Sequence, residues 1–245
     1  MRTELQIVTP EGTARATEHR PDGAGPFPGA LFLMDGPGLR ETLREMADRL
    51  AAQGYLVLLP DLFYRSPGYP PFNPKTLWGD PAERARVSAL IGAATVPAIA
   101  MRDVGLFLDA LQARPGVKPG PVACFGYCMG GSLTLRAAAA HPDRIAAAGV
   151  IHPGRPATDA PDSPHLGAPK IRAQVYVAAA DNDPSFTAEQ RERLKAALDA
   201  AGVKNEVEFY AGKGHGFAVP DLPPYDEKAA EKHWDRLLRL FHETL

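Results

Sequence analysis

The stretch that decides the fold is Gly126-Tyr127-Cys128-Met129-Gly130-Gly131, in which a cysteine stands between an apolar run and a helix-forming run. Residues 122–125 are continuously apolar, and residues 132–140 are rich in alanine, which favours a helix. The local order is therefore strand, sharp turn and helix. Small residues around the turn leave room for a strained backbone, and the helix N-terminus favours a thiolate at Cys128. The pattern predicts covalent acyl chemistry by the Cys128 thiol.

An alternative interpretation of this stretch is a glycine-rich turn around a structural cysteine, because free cysteine is often a core residue.

The chain has two cysteines, Cys124 and Cys128. Four residues of strand and turn separate them by about 13 Å, which is too far for a disulfide bond. We expect both thiols to be reduced.

The composition is typical of an enzyme with one domain, spanning residues 1–245. Of these residues 45% are hydrophobic and 23% are charged, enough to bury a substantial α/β core. A net charge of -2 predicts a small-molecule partner and no binding to nucleic acid or to a membrane surface. Residues 1–6 carry charges where a signal peptide needs an apolar core, so we expect a cytoplasmic protein, either a monomer or a small homo-oligomer.

Short apolar runs alternate with helical patterns along the chain. Residues 5–8 and 13–17 flank the turn at 10–12 and predict an N-terminal hairpin. Further strands are predicted over residues 29–34, 55–59, 121–125, 146–151, 174–179 and 206–211. Helical patterns separate most of them, which indicates a mostly parallel sheet of about seven or eight strands with helices on both faces.

Two long loops interrupt this alternation, and each follows a predicted strand. Residues 60–81 contain six prolines and several aromatic side chains, and residues 153–169 form the second loop. Ligands of open α/β sheets bind near the carboxyl ends of strands, so we expect both loops to form walls of a pocket. The alternative is that their aromatic side chains pack the loops against the domain and their polar ones are solvated. The candidate pocket residues are Tyr64, Trp78, His152 and Arg155.

A cysteine nucleophile needs a base, because a thiol with a pKa of about 8.5 is only slightly ionised at neutral pH. His215 is the candidate, since it follows the last predicted strand and has glycine on both sides. A histidine base needs an acid to fix its tautomer, and Asp181 and Asp183 both follow the preceding strand. One of the two is expected to cap the next helix or turn instead.

These motifs resemble the dienelactone hydrolase family, which has the α/β-hydrolase fold. The resemblance covers nearly the whole chain and includes the order nucleophile, acid, histidine. It implies Cys128 as nucleophile and His215 as base, and it favours Asp183 over Asp181 because Ala180-Asp181-Asn182-Asp183 fits the small-x-x-Asp pattern of the family. The matching segments are 34–38, 53–63, 126–131, 180–183 and 214–217.

The same resemblance implies an oxyanion hole made by the backbone N–H groups of Gly36 and Met129. It also assigns Asp35 to control of the nucleophile's ionisation, although Asp35 is one methylene shorter than the usual glutamate; capping the following turn is its alternative role. Family members hold a substrate carboxylate with arginines, one of them shortly after the histidine. Here that place is taken by the apolar Val219. An apolar side chain cannot replace a guanidinium, which argues against a dienelactone as the substrate. Other arginines considered as sources of positive charge are Arg65, Arg102 and Arg155.

The sequence thus predicts a hydrolase that cleaves a small-molecule ester or lactone through an acyl-cysteine intermediate. No metal or other cofactor is expected, because the chain has no His-Glu-x-x-His, paired Cys-x-x-Cys or glycine-rich phosphate loop. Two alternatives come from other classes of protein. One is a small-molecule binding protein that retains the fold with weak or no hydrolysis, and the other is a redox role for Cys128.

Overall fold

The computed structural model describes residues 1–69 and 71–245, in which eight strands form one mixed sheet. The strands are β1 (Arg2–Thr9), β2 (Gly12–His19), β3 (Gly29–Leu33), β4 (Leu56–Pro60), β5 (Val122–Tyr127), β6 (Ile145–Ile151), β7 (Gln174–Asn182) and β8 (Asn205–Gly214). Their order across the sheet is β1-β2-β4-β3-β5-β6-β7-β8.

The direction of the strands confirms the sequence prediction. β1 and β2 form the antiparallel hairpin, with Arg2 opposite His19 and Thr9 opposite Gly12. β2 also pairs antiparallel with β4, whereas every pairing from β4 through β3 and β5 to β8 is parallel. All residues of β3 and β5 are buried, which explains why these strands are continuously apolar instead of alternating.

Helices cover both faces of this sheet. They are α1 (Glu41–Ala51), α2 (Pro81–Ala94), α3 (Pro97–Gln112), α4 (Met129–Ala140), α5 (Ala188–Ala200) and α6 (Glu227–Thr244). Helix α1 leads from β3 to its neighbour β4 on one side, and α4 leads from β5 to β6 on the other, so right-handed crossovers place α1 and α4 on opposite faces. An ion pair of 2.6 Å between Arg49 and Glu231 joins α1 to α6 on the same face.

The two predicted loops differ from each other in structure. The first contains only turns and bends among its described residues until Asp80 caps α2, its carboxylate accepting hydrogen bonds from the N–H groups of Ala82 and Glu83. The second contains a 3-10 helix, Pro164–Lys170, packed against α4. Both lie after the carboxyl ends of parallel strands, β4 and β6, and therefore at the same edge of the sheet.

Within residues 1–69 and 71–245, no single helix is long and apolar enough to cross a membrane. Helices α2 and α3 reach the necessary length and composition only as a pair, which is bent by 72° where the two meet.

The core contains a histidine, His233, between α6 and the sheet. Its ring is fully buried, and its Nε2 atom lies 3.2 Å from the Tyr127 hydroxyl. Burial lowers the pKa of His233 to about 3, and the nearby positive charge of Arg49 lowers it as well. The native protein therefore keeps this side chain uncharged well below neutral pH.

This burial predicts a loss of stability in acid that His233→Phe reduces. Below pH 6.5 the unfolded chain binds a proton at His233 that the native protein does not, so the free energy of unfolding falls as the pH falls. Between pH 6.5 and pH 5 this one group removes about 2 kcal/mol. Thermal unfolding at pH 7 and pH 5 is expected to show a smaller drop in Tm for His233→Phe than for the wild type. Equal drops in the two proteins would contradict the prediction. Loss of the contact with Tyr127 changes the stability of the variant at both pH values, so it does not produce a difference between the two drops in Tm.

Candidate active site

Cys128 is the single residue between β5 and α4, and its backbone is strained. Its φ of 53° and ψ of -114° are unusual for a residue other than glycine. The Cys128 N–H donates a hydrogen bond to the Ile151 carbonyl at 3.1 Å, and the Cys128 carbonyl accepts one from the Gly154 N–H at 3.1 Å. These two bonds hold the turn from both sides, so its conformation is enforced by the neighbouring strand β6 and the loop after it.

The glycines of this turn are required by close approach of three backbone segments. A β-carbon at Gly130 would lie 2.1 Å from the Leu33 carbonyl oxygen, and one at Gly126 would lie 2.5 Å from the carbonyl carbon of Gly130. These are far below contact distance, and the neighbouring atoms belong to the backbone and cannot swing aside. The Gly-x-Cys-x-Gly pattern is therefore explained by packing between the end of β3, the end of β5 and the start of α4. We call Gly126–Gly131 the elbow.

The two thiols have opposite environments. Cys124 is fully buried in β5, where burial raises the pKa of its thiol to about 12 and its sulfur lies 3.8 Å from the Thr134 hydroxyl. Cys128 is partly exposed and lies on the wall of a cavity. Both are free, in agreement with the sequence prediction.

Asp183 and His215 come directly after β7 and β8, and their side chains meet. The His215 Nδ1 atom lies 2.7 Å from Asp183 Oδ2. The Ser185 hydroxyl donates to the other carboxylate oxygen, Asp183 Oδ1, at 2.6 Å. Asp181 is turned elsewhere, since its Oδ2 atom accepts a hydrogen bond of 2.9 Å from the Gly212 N–H. The aspartate that contacts the histidine is therefore Asp183.

The electrostatics of this pair favour a protonated imidazole. Burial lowers the pKa of His215, but its interactions with Cys128 and Asp183 outweigh this effect and hold the pKa well above its ordinary value. Burial raises the pKa of Asp183, yet its hydrogen bonds with His215 and Ser185 lower it overall. Asp183 is accordingly an anion that orients the ring of His215 and stabilises its charged form.

A cavity of about 850 Å³ opens above these groups. Asp35 and Pro37 line it on either side of Gly36, and Met129 lines it at the start of α4. A β-carbon at Gly36 would lie 3.2 Å from Ile91 and 3.5 Å from Trp78, so the backbone there is closely covered. Of the two residues proposed from the sequence as oxyanion donors, Met129 lines the cavity beside Cys128, and Gly36 lies between two residues that line it.

Two of the four candidate pocket residues, Trp78 and Arg155, line the cavity, and two do not. Tyr64 is buried away from it, and its hydroxyl donates to Asp103 at 2.9 Å while lying 3.0 Å from the Thr9 hydroxyl. The expectation that Tyr64 contacts substrate is therefore wrong, because its ring packs the loop onto the hairpin and α3.

His152 also differs from its expectation. Its ring is fully buried behind His215, with 5.1 Å between the two ring centroids, and packs against Tyr127 and Phe217. Burial, followed by the charge of His215, keeps its pKa well below the ordinary value. It is a neutral supporting residue and does not line the cavity, because the backbone of His152, with φ of 32°, turns its side chain into the core.

Asp35 has a different partner from the one that the resemblance implies. Its fully buried carboxylate accepts hydrogen bonds of 2.5 and 2.9 Å from Arg40, and Arg40 also donates to Asp221 at 2.6 and 2.8 Å. Burial lowers the pKa of Arg40, but the two carboxylates raise it further, so its charge is retained. Asp35 is held by Arg40, which joins the loop after β3 to the loop after His215. No sequence signal indicates this link, because Arg40 and Asp221 are 181 positions apart.

Two of the three arginines considered as sources of positive charge do not line the cavity. Arg65 and Arg102 pair with Glu11 and Asp103 and do not line the cavity, so these two expectations are wrong. Arg136, which sequence reasoning missed, does line it. The available signal was its spacing, since it lies eight residues after Cys128 and therefore near the same face of α4.

Among residues 1–69 and 71–245, no three histidine, cysteine or acidic side chains are grouped so that they could hold a metal ion.

A sequence model of the family described as "Dienelactone hydrolase family" matches residues 14–245. The chain belongs to the dienelactone hydrolase family. It is 28% identical over 224 residues to an Escherichia coli K12 protein named "Putative carboxymethylenebutenolidase", covering 89% of this chain and 78% of that one. It is also 28% identical over 218 residues to "Carboxymethylenebutenolidase" of Rhodococcus opacus, covering 88% and 81% of the two chains.

Among solved structures, the chain is similar to a crystal structure named "Putative Dienelactone Hydrolase" from Klebsiella pneumoniae. The TM-score is 0.84 with 26% identity, over 99% of this chain and 98% of the other. The resemblance drawn from the sequence is confirmed, as is the α/β-hydrolase fold with its mostly parallel sheet. The protein is a dienelactone-hydrolase-like hydrolase of ester or lactone bonds.

The close packing at the elbow predicts that Gly130→Ala is strongly destabilising. The added methyl group meets backbone oxygens at 2.1 and 2.6 Å and forces β3 and α4 apart. We expect a loss of about 3 kcal/mol or more in the free energy of unfolding, measured by urea denaturation. The matched control is Gly92→Ala in α2, where nothing lies within 4 Å and alanine is expected to gain up to about 1 kcal/mol. Similar stabilities for the two variants would contradict the packing argument.

Proposed function

We propose that the protein hydrolyses a small-molecule ester or lactone through a covalent acyl-cysteine intermediate. In this proposal Cys128 is the nucleophile, His215 the general base and Asp183 the acid that orients His215. The observation that carries the proposal is the hydrogen bond of 2.7 Å between Asp183 and His215, because His215 lines the same cavity as Cys128. The names of the relatives, which denote lactone-cleaving enzymes, support the same class of substrate.

Acylation uses the Cys128 thiolate, which is formed when the thiol gives its proton to His215 Nε2 and the raised pKa of His215 retains that proton on the imidazole. The thiolate then attacks the carbonyl carbon of the substrate, and the carbonyl oxygen becomes an oxyanion. We assign its stabilisation to the backbone N–H groups of Gly36 and Met129. Met129 is the first residue of α4, where a backbone N–H has no partner within the helix and points out of the N-terminus. Loss of one such donor typically costs about 3–4 kcal/mol in the transition state.

Collapse of the tetrahedral intermediate breaks the bond to the alcohol oxygen, which takes the proton from His215. An ester releases its alcohol at this step, whereas a lactone opens and keeps the hydroxyl on the acyl chain. His215 then removes a proton from water, the hydroxide attacks the thioester, and the sulfur leaves to regenerate Cys128 with the carboxylic acid as product. Asp183 stays ionised throughout and stabilises the imidazolium in each transfer.

A covalent intermediate predicts that Cys128→Ala abolishes turnover. With a panel of aryl esters and lactones we expect a loss of at least about 1,000-fold in kcat/KM, since removal of a nucleophile leaves only binding and oxyanion stabilisation. Mass spectrometry of rapidly quenched wild type is expected to show an acyl adduct on Cys128, and Cys124→Ala serves as control because its thiol is buried. Equal turnover by wild type and Cys128→Ala would overturn the nucleophile assignment. Substrate binding with neither turnover nor an adduct would favour the alternative of a binding protein. A sulfenylated Cys128 without ester cleavage would favour the alternative of a redox role.

The two aspartates at the end of β7, Asp181 within the strand and Asp183 directly after it, provide a matched test of the acid. Asp183→Asn removes the charge that stabilises protonated His215, and we expect kcat to fall by about 100-fold to 10,000-fold. Asp181→Asn keeps an oxygen that can accept the Gly212 N–H, so its kcat is expected to stay within about threefold of wild type. Steady-state kinetics of both variants on one aryl ester make the comparison. A larger loss for Asp181→Asn than for Asp183→Asn would refute the assignment.

A further inference from the structure

A fully buried histidine lies directly behind the general base of the proposed mechanism. His152 follows β6, and the centroid of its ring lies 5.1 Å from that of His215, with the two ring planes at 64°. No step of the proposed chemistry uses His152. The proton moves between Cys128 and His215, and Asp183 orients the latter from its other ring nitrogen. The contact between this buried, ionisable side chain and the base needs a further explanation.

The ring nitrogens of His152 are buried without partners. Neither Nδ1 nor Nε2 makes a hydrogen bond within the part of the chain that the structure describes. An unpartnered polar atom in the interior lowers stability, and a phenylalanine of similar shape would avoid that loss. The ring packs against Tyr127 and Phe217 with centroids 5.7 and 5.6 Å away, and a phenylalanine makes such contacts equally well. Packing alone therefore does not explain a histidine at this position.

The backbone around His152 fixes where the ring lies. Its φ of 32° is strained for a residue other than glycine, and its N–H donates a hydrogen bond to the Ala178 carbonyl of β7 at 2.8 Å. The carbonyl of the preceding residue, Ile151, accepts the Cys128 N–H at 3.1 Å. The same short segment therefore supports the elbow on one side and the ring of His215 on the other. Backbone strain of this kind is typical of functional sites.

The groups around His152 keep it uncharged. The titratable side chains that face it are His215 and Asp183 of the proposed site, Tyr127 on β5 and His233 on α6. Burial and the positive charge of His215 both hold the pKa of His152 well below its ordinary value. An uncharged imidazole has one N–H donor and one lone pair, so it is a dipole without net charge. Because polar side chains orient in the field of a protein, such a dipole turns its lone pair towards a neighbouring cation. The ring of His152 is therefore suited to stabilise the charged form of His215.

We propose that His152 is a positioning residue for His215: its uncharged ring holds the ring of His215 from behind, and its dipole stabilises the imidazolium that forms whenever His215 takes a proton. The inference rests on the proposed function, in which His215 is the general base. It adds to that function a residue that does not line the cavity and acts only through His215.

The pKa of His215 tests this inference without any turnover. It is measured by an NMR titration of protein isotopically labelled in histidine, and the His215 signal is identified by its loss in His215→Gln. The other titratable groups that face His215 are Cys128, Asp183 and Asp35, which are unchanged in the variants compared. His152→Phe keeps a ring and removes the dipole. We therefore expect the pKa of His215 to fall by about 0.5 pH unit or more, which is about a threefold change in its protonation equilibrium.

The matched control is His233→Phe. His233 is also buried and uncharged and has an unpartnered nitrogen, but its ring contacts are with Tyr127 and Trp234. We expect this variant to leave the pKa of His215 within about 0.2 pH unit of wild type. His152→Gln has an amide dipole in place of the ring, and it is expected to recover at least about half of the pKa difference between His152→Phe and wild type. Thermal unfolding of His152→Phe is expected at or above the Tm of wild type, because two unpartnered nitrogens are removed.

Steady-state kinetics on one aryl ester connect the pKa of His215 to catalysis. For His152→Phe we expect kcat to fall by about threefold to tenfold with KM within about twofold of wild type, because a weaker base forms less thiolate and activates water less well. An unchanged pKa of His215 in His152→Phe, or an equal fall in His233→Phe, would overturn the inference and leave the hydrolase proposal intact. If wild type cleaves no ester and forms no adduct on Cys128, the proposed function fails, and the NMR titration alone then decides whether His152 stabilises the charged His215.

Discussion

Three backbone segments approach one another at the elbow more closely than any side chain allows, and the rest of the site depends on this contact. The end of β3 lies against Gly130, and Gly130 lies against Gly126. This packing forces Cys128 into a left-handed conformation between strand and helix, with its sulfur in the cavity and the N-terminus of α4 beside it. The strain is sustained by hydrogen bonds with β6 and the loop after it, so the position of Cys128 is set by the sheet and not by the turn alone.

Parallel strands bring the other groups to the same edge. Asp183 and His215 follow β7 and β8 immediately, so a fixed strand register sets their distance from each other. Arg40 adds a second constraint, because it joins Asp35, next to Gly36, to Asp221 beyond His215. The loop after β3 and the loop after His215 are thereby tied together through one buried cation. In the mechanism that we propose, such preorganisation keeps the hydrogen-bond donors and the base in position before charge develops.

The cavity is lined by residues from several elements. Cys128 and Met129 of the elbow line it together with Asp35 and His215, and so do Trp78 of the loop after β4 and Ile91 of α2. Arg136 comes from a later turn of α4, and Arg155 comes from the loop after β6. The chemistry that we propose therefore belongs to a cavity whose walls combine the ends of the strands with two helices.

The sequence by itself determined the strand–elbow–helix order and the parallel sheet, because steric limits at the elbow and buried strands leave a local imprint on residue type. It also made His215 the candidate base. It also narrowed the acid to two aspartates. Tertiary structure alone decided that Asp183 contacts His215, that Asp35 is bound by Arg40 and that Tyr64 and His152 are turned into the core. The physical reason is that these outcomes depend on contacts between side chains distant in sequence, which periodicity and spacing along a single chain do not encode.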